Sequence, residues 1–187
     1  MNGGYEGMLT LEIPEREGLN EATREFIYVK KCTLLMEHSL IAISKWESKW
    51  HKPFLDGEAH KLNEIQDYAR CMCLNEKSVD PMVFKLLRPT EIMKIKNYID
   101  DPMTGTTFGP SDDEKNTETM SSELIYYYMI ANEVPFECEK WHLNRLLTLL
   151  RICGIKNKIN DPSRPKRSQS ELLTKYANMH AARKAKK

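Results

Sequence analysis

Nowhere do the 187 residues string together eighteen apolar side chains, so no segment can cross a bilayer as a helix. The opening stretch MNGGYEGMLTLEIPEREG has no basic region followed by an apolar one, which argues against a secretory signal. No Gly-rich phosphate loop, no GxSxG elbow and no HExxH occurs, and the usual footholds of nucleotide, hydrolase and metalloprotease chemistry are missing with them. Cysteine is sparse: five residues, at 32, 71, 73, 138 and 153, stand mostly in apolar surroundings. An odd number so placed predicts reduced, buried thiols in a cytosolic setting rather than a disulfide framework. Glycine is scarce too, yet Gly3, Gly4 and Gly7 crowd the first seven residues ahead of Met8, so residues 1–7 are expected to form a flexible leader.

What is present is a globular composition, 41% hydrophobic and 29% charged, long enough for one domain with a genuine core. The net charge of +1 conceals an asymmetry. Residues 164–187 hold eight Lys or Arg against the single acid Glu171, whereas residues 1–163 hold 20 Lys or Arg against 26 Asp or Glu. An acidic body, residues 8–160, therefore carries a basic C-terminal arm, residues 161–187. The joint NDPSRPKRSQS is broken by Asp161, Pro162 and Pro165. Such an arm is either a solvated tail or a handle for an acidic partner, for nucleic acid, or for the body of a neighbouring copy.

Periodicity predicts a mostly α, α+β fold: an N-terminal β-hairpin, then a helical bundle, then the arm. MLTLEI (8–13) and FIYVKKCTLLM (26–36) read as two strands paired across the polar connection PEREGLNEATRE. SLIAISKWESKW (39–50) places Leu40, Ile43, Trp46 and Trp50 at helical spacing behind Ser39 as N-cap. Helical pattern returns over 58–74 through Leu62, Ile65, Tyr68, Ala69 and Met72, over 80–87, and over 89–99 with Thr90 as cap and Ile92, Ile95 and Ile99 inside. Residues 101–119 read as a long loop. SSELIYYYMIANE (121–133) stacks Leu124, Tyr127, Tyr128 and Ala131, capped by Ser121 or Ser122. In WHLNRLLTLLRICGIKN (141–157), Leu143, Leu146, Leu147, Leu150 and Cys153 form the buried stripe, and Gly154 is expected to end the helix. The last piece, SELLTKYANMHAARKAKK, has only Leu172, Leu173, Tyr176 and Met179 as an apolar edge.

Candidate chemistry is thin. His142 follows Cys138 by four residues, but a tetrahedral metal site needs two more ligands, and Cys71 and Cys73 diverge on a helix. No metal and no cofactor is expected, and His142 reads as a satisfied histidine between helices. Glu64 and Asp67 lie at ordinary helical spacing, and the chain is read as a non-enzyme. Nucleic-acid binding would rest on the arm, whose one aromatic is Tyr176 and which has no base-reading motif.

The stretches MLTLEIP (8–14), LMEHSLIAISKWESKWHKPFL (35–55), IMKIKNYIDDPMT (92–104) and ELIYYYMIANEVPFECEKWHLNRLLTLLRICGIKN (123–157) give the chain its individuality. In these, and through nearly all of residues 8–187, it resembles a family of small proteins of tailed bacteriophages, the tail assembly chaperones of long-tailed phages. The resemblance implies a protein of the host cytoplasm that coats the tape measure protein, recruits tail-tube subunits and leaves before the particle is finished. It implies a helix-in-groove contact, expected along Trp46, Trp50, Tyr127 and Trp141. It also implies a detachable contact from the arm, through Arg164, Lys166, Arg167, Arg183 and Lys184, with an acidic tube protein or the next copy. Two other classes stay open, a structural virion protein (connector, capsid- or tail-associated) and a nucleic-acid-binding accessory protein.

Overall fold

The computed structural model describes residues 7–20, 24–108 and 119–160. The leader up to residue 6, most of the 101–119 loop beyond Phe108, and the arm, with Arg164, Lys166, Arg167, Arg183 and Lys184, lie outside the described residues. Internal contacts divide the chain into two units, residues 1–151 and 152–187. The fold is mixed α+β, with a β-ribbon followed by helices.

The ribbon is a long hairpin in two sections. Strand β1 (Leu9–Ile13) pairs antiparallel with β4 (Cys32–Met36), and β2 (Arg16–Asn20) with β3 (Glu25–Val29). One register runs through both ladders, from Leu9 opposite Met36 to Asn20 opposite Glu25. The interruption falls at Pro14, which has no N–H to give to a ladder. Across that break the inward parity changes. Leu11, Ile13, Leu34 and Met36 are buried in the first section, but Arg16 and Val29 in the second. Residues 16–20, expected to be connection, are thus strand. Their sequence, REGLN, has little β propensity, and tertiary contacts hold them. Arg16 makes a bidentate pair with Glu91, at 3.0 and 2.5 Å, and donates to the Leu86 carbonyl at 2.8 Å. Gly18 lies so close to Leu86 that a Cβ there would collide with its methyl groups.

Helix α1 (Leu40–Trp50) starts at Ser39, whose hydroxyl accepts the Ala42 N–H, and stops at His51 in the left-handed region, φ 53°. It buries Leu40, Ala42, Ile43, Trp46 and Glu47. Helix α2 (Leu62–Met72) begins four residues later than the pattern predicts, because Glu64 folds back to accept the Lys61 N–H at 2.9 Å and sets the cap there. Leu62, expected inside, is 60% exposed, and Tyr68, Ala69 and Met72 are buried as expected. After the short α3 (Met82–Lys85), α4 (Pro89–Ile99) is capped by Arg88 and not by Thr90, since Glu91 accepts the Arg88 N–H at 2.8 Å and Pro89 suits the first helical position. Its inner residues are Glu91, Ile95 and Tyr98, with Ile92 and Ile99 at the margin.

Helix α5 (Ser122–Ala131) is capped by Ser121 and followed by a 3-10 turn, Phe136–Lys140. Helix α6 (Leu143–Asn160) starts against the β4–α1 junction, where the Leu143 N–H donates to the His38 carbonyl at 2.7 Å. Leu143 and Leu146 are fully enclosed, and Leu147 and Leu150 are half-buried. The helix runs through Gly154 instead of ending there. Open space surrounds that Cα, and a helical glycine costs only about 1 kcal/mol relative to alanine. In the second unit Cys153 is half-buried and Ile155 is 41% exposed.

Candidate functional site

The four aromatics expected to share a groove do not form one. Trp46 is enclosed, 0% exposed, and its indole N–H donates to the Glu64 carbonyl at 3.0 Å. Phe54 and His60 pack edge-on to its ring at 5.1 and 5.0 Å, so it offers no face to a partner. Trp50 stacks on it at 6.0 Å and gives its own N–H to Asp67 at 2.9 Å. Trp141 is half-buried, with the Arg145 guanidinium 4.3 Å above its ring. Only Tyr127, at 60% exposure, faces outward.

The histidine of the 141–157 stretch is consumed by the fold. His142 Nε2 lies 2.9 Å from the Tyr98 carbonyl, and its Nδ1 accepts the Asn144 N–H at 3.3 Å. That pattern fixes a neutral tautomer with the proton on Nε2 and leaves neither nitrogen aimed at an ion. Asn144 is also engaged, donating to the Ile99 and Asp101 carbonyls at 2.9 and 2.7 Å. Among the described residues no three His, Cys, Asp or Glu side chains converge as metal ligands, and all five thiols are free. Burial pushes the Cys71 thiol up to about 11, which keeps it protonated at neutral pH.

The buried carboxylates are equally occupied. Glu47 accepts the N–H of Phe54 and that of Ser122, each at 2.8 Å, and so ties the turn after α1 to the first residue of α5. Asp67 is held by Lys49, Trp50 and Arg70 at 2.7, 2.9 and 3.0 Å. Among the described residues a cleft of about 460 Å³ lies beside the ribbon break, lined by Lys30, Lys31, Cys32, Ser78 and Asp80 among others. Burial raises the Cys32 thiol, against the lowering effect of Arg16, so that cysteine is not an activated nucleophile.

The surface offers what the interior does not. Helix α5 buries Ser122, Ile125 and Met129, because Glu47 pins the Ser122 N–H inward and turns that side to the core. The stripe expected inside, Leu124, Tyr127, Tyr128 and Ala131, is therefore the outer one: Leu124 and Tyr128 are half-buried, and Tyr127 and Ala131 are exposed. Ile130, 62% exposed, follows Tyr126 by four residues and Tyr127 by three, which places it beside both on the helix surface. Phe136, 55% exposed, stands 6.4 Å from Tyr126. The outer face of α5 and the turn after it thus form an apolar surface of Tyr126, Tyr127, Ile130 and Phe136. A folded helix that is apolar all round is expected to bury both sides.

Acids frame this face. Glu123, Glu133 and Glu137 are exposed, and Glu139 accepts the Tyr126 hydroxyl at 2.8 Å. Burial and that bond raise Tyr126, while Glu123's own backbone N–H and the Ser121 hydroxyl lower the Glu123 carboxyl and keep it ionised. A second apolar surface lies on the distal ribbon, where Leu19 and Phe26 sit opposite each other at 51% and 84% exposure, with Tyr28 beyond. Sequence reasoning missed it because the strand that carries Leu19 was read as connection, although Phe26 and Tyr28 fell within a predicted strand. Compared with known proteins, the chain matches no family model, no curated protein and no solved structure.

Proposed function

We propose that this protein is a docking factor in virus assembly, a tail assembly chaperone of long-tailed bacteriophages that covers the tape measure protein in the host cytoplasm and helps to bring in tail-tube subunits. Two supports of different kind meet here. The stretches 35–55 and 123–157 resemble that family, and within the second lies the outer face of α5. The observation that carries the reading is that face: Tyr127 and Ile130 are both about three-fifths exposed on a helix whose other side is already in the core. A tape measure protein is a long helical chain that would self-associate if left bare. One of its apolar stripes laid along α5 would bury both partners' exposed side chains by side-on helix packing. The finer architecture belongs to the same reading, with the helices acting as a bundle that presents α5 and the basic arm supplying a salt-sensitive contact.

Co-expression with the tape measure protein, followed by affinity capture, tests it. The wild-type chain should bring the tape measure protein down, while Tyr127→Glu with Ile130→Glu should lose most of it yet keep its thermal stability. Mass spectrometry of purified virions should find the chain absent. Retention at fixed copy number would replace the chaperone reading with that of a structural virion component. Capture unaffected by the double variant would mean that α5 is not the docking face.

A further inference from the structure

The acids around α5 say more about an occupant than its apolar centre does. Residues 121–140 contain four acids, Glu123, Glu133, Glu137 and Glu139, against the single base Lys140. A segment seated on Tyr126, Tyr127, Ile130 and Phe136 therefore meets negative charge at both ends of the helix. The complementary segment is short, amphipathic and basic, with a few large apolar residues at helical spacing. This chain contains one. Leu172, Leu173, Tyr176 and Met179 recur at helical intervals, accompanied by Lys175, Arg183, Lys184, Lys186 and Lys187 and by one acid, Glu171.

We infer that the outer face of α5 is a homotypic docking site, and that its occupant is the basic segment 170–187 of a second copy of this chain. Such a contact joins two different surfaces, so it is head-to-tail, and each copy still has one free donor and one free acceptor. Assembly can then continue beyond a dimer, by addition of like units. Its apolar centre supplies the contact, and its exposed charges supply direction and salt sensitivity. The inference shares the face but not the tape measure reading, because it concerns the purified chain alone.

Sedimentation velocity of the full-length protein over a range of concentrations is the test. At low salt the sedimentation coefficient should rise with concentration. At about 1 M salt, where the Debye length falls to about 3 Å, the rise should shrink several-fold. Glu133→Lys with Glu137→Lys should abolish association, and so should Arg183→Glu with Lys184→Glu. The four changes combined should restore it, an outcome that misfolding of either variant cannot produce. A synthetic peptide of residues 164–187 should compete and return the wild-type chain to monomers. Sedimentation independent of concentration, as docking within one chain would give, overturns the inference. So does association untouched by either charge reversal, or a combined variant that stays monomeric.

Discussion

Two neutral histidines in the core should make this fold sensitive to mild acid. His38 is 2% exposed, with Nδ1 2.5 Å from the Tyr68 hydroxyl and its ring 5.0 Å from that of His142. Burial, with a smaller contribution from His142, lowers its pKa from 6.5 to about 3, and burial lowers His142 as well, against the raising effects of the Tyr98 carbonyl and Asp101. The unfolded chain takes up these protons near pH 6.5 while the folded chain refuses them. It therefore binds more protons, and stability falls as pH drops through that value and on toward 3. At about 1.4 kcal/mol per pH unit for each such group, His38 alone costs about 2 kcal/mol between pH 7 and pH 5, with His142 adding in the same direction. That is a large share of a typical 5–15 kcal/mol. Glu37, raised by burial, acts with the opposite sign and offsets part of the loss. Asp67 and Glu91 are lowered, so their contribution is lost only below the ordinary carboxylate range, outside this window. Urea unfolding at pH 7 and pH 5, on the wild type and on His38→Gln, isolates the group. The drop in stability between the two pH values should be about 2 kcal/mol smaller in the variant. An identical drop in both proteins would refute the assignment of the lost protons to His38.

Three further outcomes follow from the packing. Arg16→Ala strands the Glu91 carboxylate in the core and should cost about 3–5 kcal/mol, with faster amide exchange in β2 and β3 than in β1 and β4. Glu47→Gln replaces one of two acceptor oxygens with a donor that faces a backbone N–H, of Phe54 or of Ser122, and should cost about 1–3 kcal/mol by thermal or urea denaturation. Leu146→Ala, at a fully enclosed position, should cost about 2–5 kcal/mol, and Leu150→Ala, half-buried on the same stripe, distinctly less; equal costs would show that the enclosed side of α6 is misassigned.

The parts of this fold that were legible in the sequence are those whose determinants are local. The Ser39 cap and the spacing of Leu40, Ile43 and Trp46 define α1 without help from elsewhere, and the alternation of Leu9, Leu11 and Ile13 gives β1. His142 could be read as a satisfied interhelical residue because one Cys and one His make half a metal site. What could not be read depends on distant partners. Strand β2 exists because Arg16 finds a carboxylate 75 residues away. The inner side of α5 is chosen by Glu47, 75 residues before Ser122. Beyond Ser122 and Glu123 its own sequence, SELIYYYMIA, is apolar on every side, so periodicity has little to choose between them. For the same reason the expected groove was wrong at Trp46: spacing shows that a tryptophan faces a neighbour, but not whether that neighbour belongs to the same chain.

The buried polar groups of this molecule serve the fold, whereas the apolar outer side of α5 does not. Among the described residues the buried carboxylates are bound in structural roles: Glu47 to two backbone N–H groups, Glu64 to Lys61 and Lys52, Glu91 to Arg16 and Arg88. Each is held by at least two partners, so reacting through any of them would first cost part of the fold. The outer side of α5 is the reverse case. Tyr127 and Ile130 could be Lys or Glu with a change in stability within about 0.5 kcal/mol, because neither is enclosed. Folding does not need them apolar, and solubility is worse for it. A contact that removes them from water, at roughly 25 cal/mol per Å² of apolar area, turns that liability into affinity. In the proposed docking the acids around them would decide which apolar segment is accepted. A neutral or acidic stripe would meet Glu123, Glu133 and Glu137 without compensation, and a basic one would not.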